Sequence, residues 1–194
     1  MKLSMKSLIA TGLIALSCTC SAFAAPTVES LATEITQPGG FYTLYHGMPL
    51  ADFENNWGNI SGWTRTHTQN QNSKDYWNDT FERTYKLNGE TVCERVDVTT
   101  NHKTGVVHSF SWWFYADDIY TAEAVFYGMY DKLAAMYPGF TEKMPRAPIH
   151  ISNKRPYYVI GNGDQALTFF MSREINKGKH ANQHFISYCY RKYK

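Results

Sequence analysis

Between residues 80 and 99 apolar and polar side chains alternate on either side of Leu87-Asn88-Gly89-Glu90, the period of a half-buried strand. Asn-Gly readily takes the positive φ angles of a type I′ turn, whose twist suits a two-residue hairpin. That turn sets Arg83 opposite Glu94, Glu82 opposite Arg95, Phe81 opposite Val96 and Tyr85 opposite Val92. The charge pairs are complementary, one on each face of the ribbon, and a slip of register would break every match together. The alternation resumes after the turn at residues 101–105. Val106, His108, Phe110, Trp112 and Phe114 point one way, and Val107, Ser109, Ser111, Trp113 and Tyr115 the other. The first set is the more apolar and is expected to face the core. Three consecutive strands then make an antiparallel meander.

The period changes after Asp117-Asp118, which can cap a helix. Ala122, Val125, Phe126, Met129, Leu133 and Met136 recur at helical spacing up to Pro138-Gly139, so a long amphipathic helix is expected over 119–137. A shorter one starts at Pro49, with Leu50, Phe53 and Trp57 on one face and Gly58 free to end it in the left-handed conformation. Residues 26–40 are polar and close with Gln37-Pro38-Gly39-Gly40, which reads as a partly ordered arm. Phe41 to Tyr45 and Trp63 to Thr68 read as strands, and 69–79 as an exposed loop. A proline-rich connection follows at 141–156. Tyr157 to Ile160, Ala166 to Ser172 and His184 to Arg191 read as further strands, the first two joined by a hairpin turn at residues 161–164. The expected fold class is α+β: an antiparallel meander with one long and one short helix packed on one face. Residues 41–194 are expected to form a single domain after an arm at 25–40.

The first 24 residues have a different character. Lys2 and Lys6 precede a short apolar run, and Ala22-Phe23-Ala24 follows. A basic start, a short apolar stretch and small residues at an A-x-A site define a secretory signal peptide, and the run is too short to span a bilayer. Residues 1–24 are therefore expected to be removed, with the protein exported to the periplasm or secreted. Lys2 and Lys6 leave with them, so Lys+Arg falls from 19 to 17 against 17 acidic residues. A near-neutral domain lacks the positive charge that nucleic-acid binding requires. Two of the four cysteines, Cys18 and Cys20, also lie in this segment. Cys93 and Cys189 remain, and in an exported chain they are expected to pair as a disulfide, closing a loop of about 95 residues worth roughly 4–5 kcal/mol.

Catalytic chemistry finds little support. No G-x-S-x-G elbow is present. The two thiols are assigned to the disulfide, and any two of the 17 carboxylates would serve a glycosidase equally well. Of the seven histidines, His180 and His184 have i, i+4 spacing but lack the glutamate and helix of a zinc motif. No catalytic residue, metal site or cofactor is assigned. The aromatic run Trp112-Trp113-Phe114-Tyr115 is more distinctive. It puts Trp113 and Tyr115 on the face turned away from the core, where they are candidate ligand-binding residues.

Gly47-Met48-Pro49-Leu50-Ala51-Asp52-Phe53 is similar to the start of small exported domains of the beta-lactamase-inhibitor-protein and outer-membrane-assembly-lipoprotein type. The resemblance implies a short helix followed by a meander, and it transfers no functional residue. The expected function is that of an exported, non-enzymatic module binding a protein, an envelope polymer or a small ligand. The alternative is a secreted hydrolase whose histidine and carboxylate converge only in the folded chain.

Overall fold

The hairpin around Asn88-Gly89 sets the sheet. In the computed structural model, which describes residues 26–143, 157–161, 165–173 and 178–192, strands β4 (Tyr76–Leu87) and β5 (Glu90–Asn101) pair in the expected register from end to end. Asn88 and Gly89 have φ of 52° and 87°, as a type I′ turn needs. β6 (Val106–Ala116) continues the meander. β3 (Thr64–Gln69) flanks β4 on one side. On the other side β9 (His184–Lys192) pairs with β6, followed by β8 (Gln165–Arg173) and β7 (Tyr157–Gly161). All pairings are antiparallel, and the strand order is β3-β4-β5-β6-β9-β8-β7. The expected leader at 1–24, the turn residues 162–164 and residues 144–156 of the proline-rich connection lie outside the described residues.

The helices that complete this α+β fold include the expected pair and two more. α2 (Leu50–Trp57) and α3 (Ile119–Met136) are the expected short and long helices. α3 is capped by Asp118, whose carboxylate accepts from Thr121 N at 2.9 Å. Residues 26–40 are not an arm. They contain α1 (Val28–Ile35), opened by a reciprocal Thr27–Ser30 capping box. Leu31, Ala32 and Ile35 are buried, so a helix that is polar outside still carries an apolar stripe. α1 packs on α3, where Gly128 lets the two come together: a Cβ there would lie 3.3 Å from Val28 Cγ1. The strand expected at 41–45 is a small hairpin, β1 (Gly40–Phe41) and β2 (Leu44–Tyr45). α2 does not end in a left-handed glycine, since Gly58 keeps a right-handed helical φ of −52°. A single turn, α4 (Phe140–Lys143), follows α3.

The core lies between the helices and one face of the sheet. Phe81, Val96, Phe110, Trp112, Phe114 and Phe126 are fully buried within it. Val106 and His108 do not join them. The β5–β6 register shifts between Thr99 and Thr100, so Val107 pairs with Thr100 and turns inward. Such a bulge inserts one residue and inverts the alternation beyond it. His108 instead meets the rings of Tyr76 and His46.

The expected disulfide is not present, and both cysteines are thiols. Cys93 pairs with Tyr115 of β6, and Cys189 pairs with Ser111 of the same strand. β6 therefore separates the two cysteines, and they are four residues out of step. Strand spacing and rise put them about 16 Å apart, well beyond the roughly 4.4–6.8 Å a disulfide spans. A disulfide between them would need β5 and β9 side by side, and β6 lies between the two. Denaturing the protein without reductant and alkylating it should add two adducts, at Cys93 and Cys189; an unmodified mass would show that the pair had closed.

Trp112 and Trp113 occupy opposite faces, as the strand period requires. Trp112 is fully buried, whereas Trp113 is partly exposed beside Phe185. Trp112→Ala should cost roughly 3–5 kcal/mol, as for other buried large-to-small changes. Trp113→Ala should cost clearly less. Urea denaturation of the two variants makes the comparison, and equal losses would contradict the burial difference.

Candidate functional site

One cavity of about 820 Å³ opens among α1, the β1–β2 turn, the end of α2, the 58–63 connection and β4. Its aromatic wall is built from three segments. Tyr42 comes from the β1–β2 turn, Trp57 from α2 and Trp63 from the start of β3. Their ring centroids lie 5.9–6.1 Å apart in each pairing. Trp57 is fixed by its indole N–H, which donates to Thr43 Oγ1 at 2.9 Å. The polar rim carries Ser30 and Glu34 from α1 and Asn56 from α2.

Arg83 forms the floor. Its Cζ lies 4.6 Å from the Trp63 ring, 5.1 Å from Tyr85 and 5.8 Å from Tyr42, a cation framed by π faces. Behind it stands Glu94, which has no exposed surface. Arg83 Nε, the Tyr42 hydroxyl and the Trp112 indole N–H each donate to this carboxylate at 2.6 Å. Arg83 also donates to the Tyr42 hydroxyl at 3.0 Å. A charge at this depth is tolerable because it is both paired and hydrogen-bonded. Tyr42 reaches it from a backbone held at φ 51°, an uncommon conformation for a bulky residue that costs about 1–3 kcal/mol. Burial and the neighbouring Glu94 push the Tyr42 phenol well above its ordinary range. Burial also raises Tyr85.

Glu34 is the cavity's other carboxyl. Burial lifts it above the usual glutamate range, Arg83 pulls it back and Glu94 pushes it further up. The folded state therefore binds this proton more tightly than the unfolded chain does. From about pH 4, the ordinary glutamate value, upward through the raised value, Glu34 makes stability fall as pH rises. Glu34→Gln should remove that slope and leave the protein no less stable at pH 7. Urea melts across pH 4–7 check this, and a steeper decline in the variant would contradict it.

The sequence candidates lie elsewhere. Trp113 and Tyr115 are brought together on the sheet face opposite the helices, in a small cluster with Cys93 and Phe185. Tyr115 is only 7 % exposed. His180 stacks on it with a centroid separation of 3.8 Å, so Trp113 offers most of the surface there. Histidine–carboxylate contacts form away from the cavity. His67 Nδ1 lies 2.6 Å from Asp79 Oδ1, with Arg65 on the same oxygen at 2.7 Å. His180 Nε2 lies 3.7 Å from Glu82 Oε1.

Sequence reading overlooked Glu34, Tyr42 and Trp63. It did pair Arg83 with Glu94. The signal of their burial was also available, since that pair shares its face with Phe81–Val96 and Tyr85–Val92. No helix among the described residues is long and apolar enough to cross a membrane. No protein-family model matches the chain, and neither the curated proteins nor the solved structures include a significant match.

Proposed function

We propose that the chain is an exported binding module that takes a neutral, ring-bearing, hydroxylated small molecule, such as a sugar, in the cavity beside α1. The observation that carries this reading is the aromatic pair Tyr42 and Trp63, backed by the fully buried Trp57, set against a rim of Ser30, Glu34 and Asn56. Rings supply flat apolar contact, and the rim supplies fixed hydrogen-bond partners. The charge balance selects a neutral ligand. Arg83 is already met by Glu94, and the remaining carboxyl, Glu34, would repel an anion.

Binding is favoured over hydrolysis by the same groups. Neither histidine nor cysteine is among the described residues lining the cavity. A pair of carboxylates could cleave a glycoside only if both reached the substrate. Glu94 does not, because Tyr42, Arg83 and Trp112 enclose it. Export rests on the leader at residues 1–24 and on its Ala22-Phe23-Ala24 site.

The test is a titration of the mature chain with neutral mono- and disaccharides, read by tryptophan fluorescence and ligand-observed NMR. Binding in the micromolar to millimolar range is expected. Trp63→Ala should weaken it at least about tenfold, the equivalent of about 1.4 kcal/mol, with thermal unfolding little changed. Absence of binding across the panel, or binding indifferent to Trp63→Ala, would count against the reading.

A further inference from the structure

The sheet face opposite the helices carries a separate cluster, independent of the cavity. β4 contributes Glu82 there and β5 contributes Cys93, diagonal neighbours because Cys93 pairs with Thr84. Cys93 also pairs with Tyr115, and the 178–183 segment lays His180 flat on that tyrosine, 12° from parallel. A sulfur, a carboxylate oxygen and an imidazole nitrogen thus lie within 4.8 Å of one another.

The surrounding hydrogen bonds fix where the protons sit. The Asp117 carboxylate only accepts, so the Gln183 amide turns its NH₂ toward it, at 3.1 Å. Gln183 Oε1 is then left facing His180 Nδ1 at 2.7 Å, and Nδ1 must donate. In the neutral imidazole Nε2 then carries the lone pair. It is sealed from solvent, has no hydrogen-bond partner and faces Glu82 Oε1 at 3.7 Å. With the imidazole neutral, a nitrogen lone pair, a carboxylate oxygen and a sulfur face one another, a donor set suited to a cation.

We propose that Cys93 Sγ, His180 Nε2 and the Glu82 carboxylate bind one zinc ion, with solvent completing a four-coordinate shell. Zinc takes this mixture of sulfur, nitrogen and oxygen at about 2.0–2.3 Å. Its ligand atoms then stand roughly 3.3–3.8 Å apart, so the cluster needs to close by only about 1 Å. Gln183 and Asp117 form the outer relay that holds a ligating histidine in one tautomer. Two other cations face the cluster. Arg95 is engaged by Asp97 at 2.9 Å. Lys179 pairs with the second oxygen of Glu82 from a largely exposed side chain, which lets it swing away. On binding, the Cys93 proton passes to solvent, and thiolate and carboxylate neutralise the ion. A nucleophilic role for Cys93 fits less well, because burial and Glu82 raise its thiol above the ordinary value, the reverse of what activates a nucleophile.

Cobalt(II) is the probe, added to the full mature chain after chelator treatment and then displaced by zinc. One ion per chain is expected, with tetrahedral visible bands and a thiolate-to-cobalt charge-transfer band. Cys93→Ser should abolish that band. His180→Ala should weaken binding at least about tenfold, and Gln183→Ala about 10–100-fold, as for other outer-shell changes. His180 and Gln183 lie outside the strands, so their variants carry the test should Cys93→Ser fail to fold. No binding, binding without the thiolate band, or binding that survives both His180→Ala and Gln183→Ala overturns the site. A surface ion held at the His67–Asp79 pair would give the last of these results and would be removed by His67→Ala.

Discussion

A carboxylate with no exposed surface holds the centre of the helix-covered face. Glu94 stands where an apolar residue would otherwise complete the row Val92, Val96 and Val98. Its charge is acceptable only because donors from β4, β6 and the β1–β2 turn all converge on it. Removing one partner from such a site strands a charge, at a cost of about 3–5 kcal/mol. The arrangement therefore constrains elements far apart in sequence. Tyr42 lies 52 residues before Glu94, and its positive φ persists because the hydroxyl must reach this one oxygen.

The cavity follows from that constraint. A guanidinium that spends its donors on Glu94 and Tyr42 cannot also be covered by close-packed apolar side chains. Trp63 and Tyr85 lie against its faces instead, and aromatic stacking leaves the edge of the site open. α1 closes one side. Its position is set at a distance by Gly128, where a larger residue in α3 would press on Val28 and Ala32. Thus the polar wall carrying Ser30 and Glu34 is delivered by helix–helix packing, while the aromatic wall is delivered by the β1–β2 turn, the end of α2 and the connection into β3.

How much of this was legible in the sequence depends on the range of the interaction. The Asn88-Gly89 hairpin, the long helix and its Asp118 cap are local, and residue types specified them directly. The apolar positions Val28, Leu31, Ala32 and Ile35 of α1 were equally local. They were passed over because the intervening residues are polar and the helix is short. His108 was misassigned because a bulge leaves no mark in an alternating pattern. The cysteines were misassigned because pairing by compartment says nothing about strand order; β9 enters beside β6, not β5. Beyond Arg83 and its pairing with Glu94 the cavity had no signal, since its residues come from five segments whose meeting depends on long-range packing.

The hairpin register explains why both proposed sites exist in one small sheet. Glu82-Arg83 on β4 and Cys93-Glu94 on β5 are consecutive residues, so each pair sends one side chain to either face. Arg83 and Glu94 go inward and build the cavity floor. Glu82 and Cys93 go outward, beneath His180. The turn at Asn88-Gly89 decides this partition for all four at once. A slip of β5 by one residue would turn Glu94 outward and Cys93 inward while β4 kept its faces, breaking both clusters together. The charges are therefore part of what specifies the register. Hydrophobic alternation alone would put Glu94 on the solvated face, whereas a carboxylate met by Arg83, Tyr42 and Trp112 together is satisfied in the inward alignment. The same alignment leaves sulfur, carboxylate and imidazole clustered outside. The outward cluster and the cavity's buried ion pair are thus carried by the same two strands.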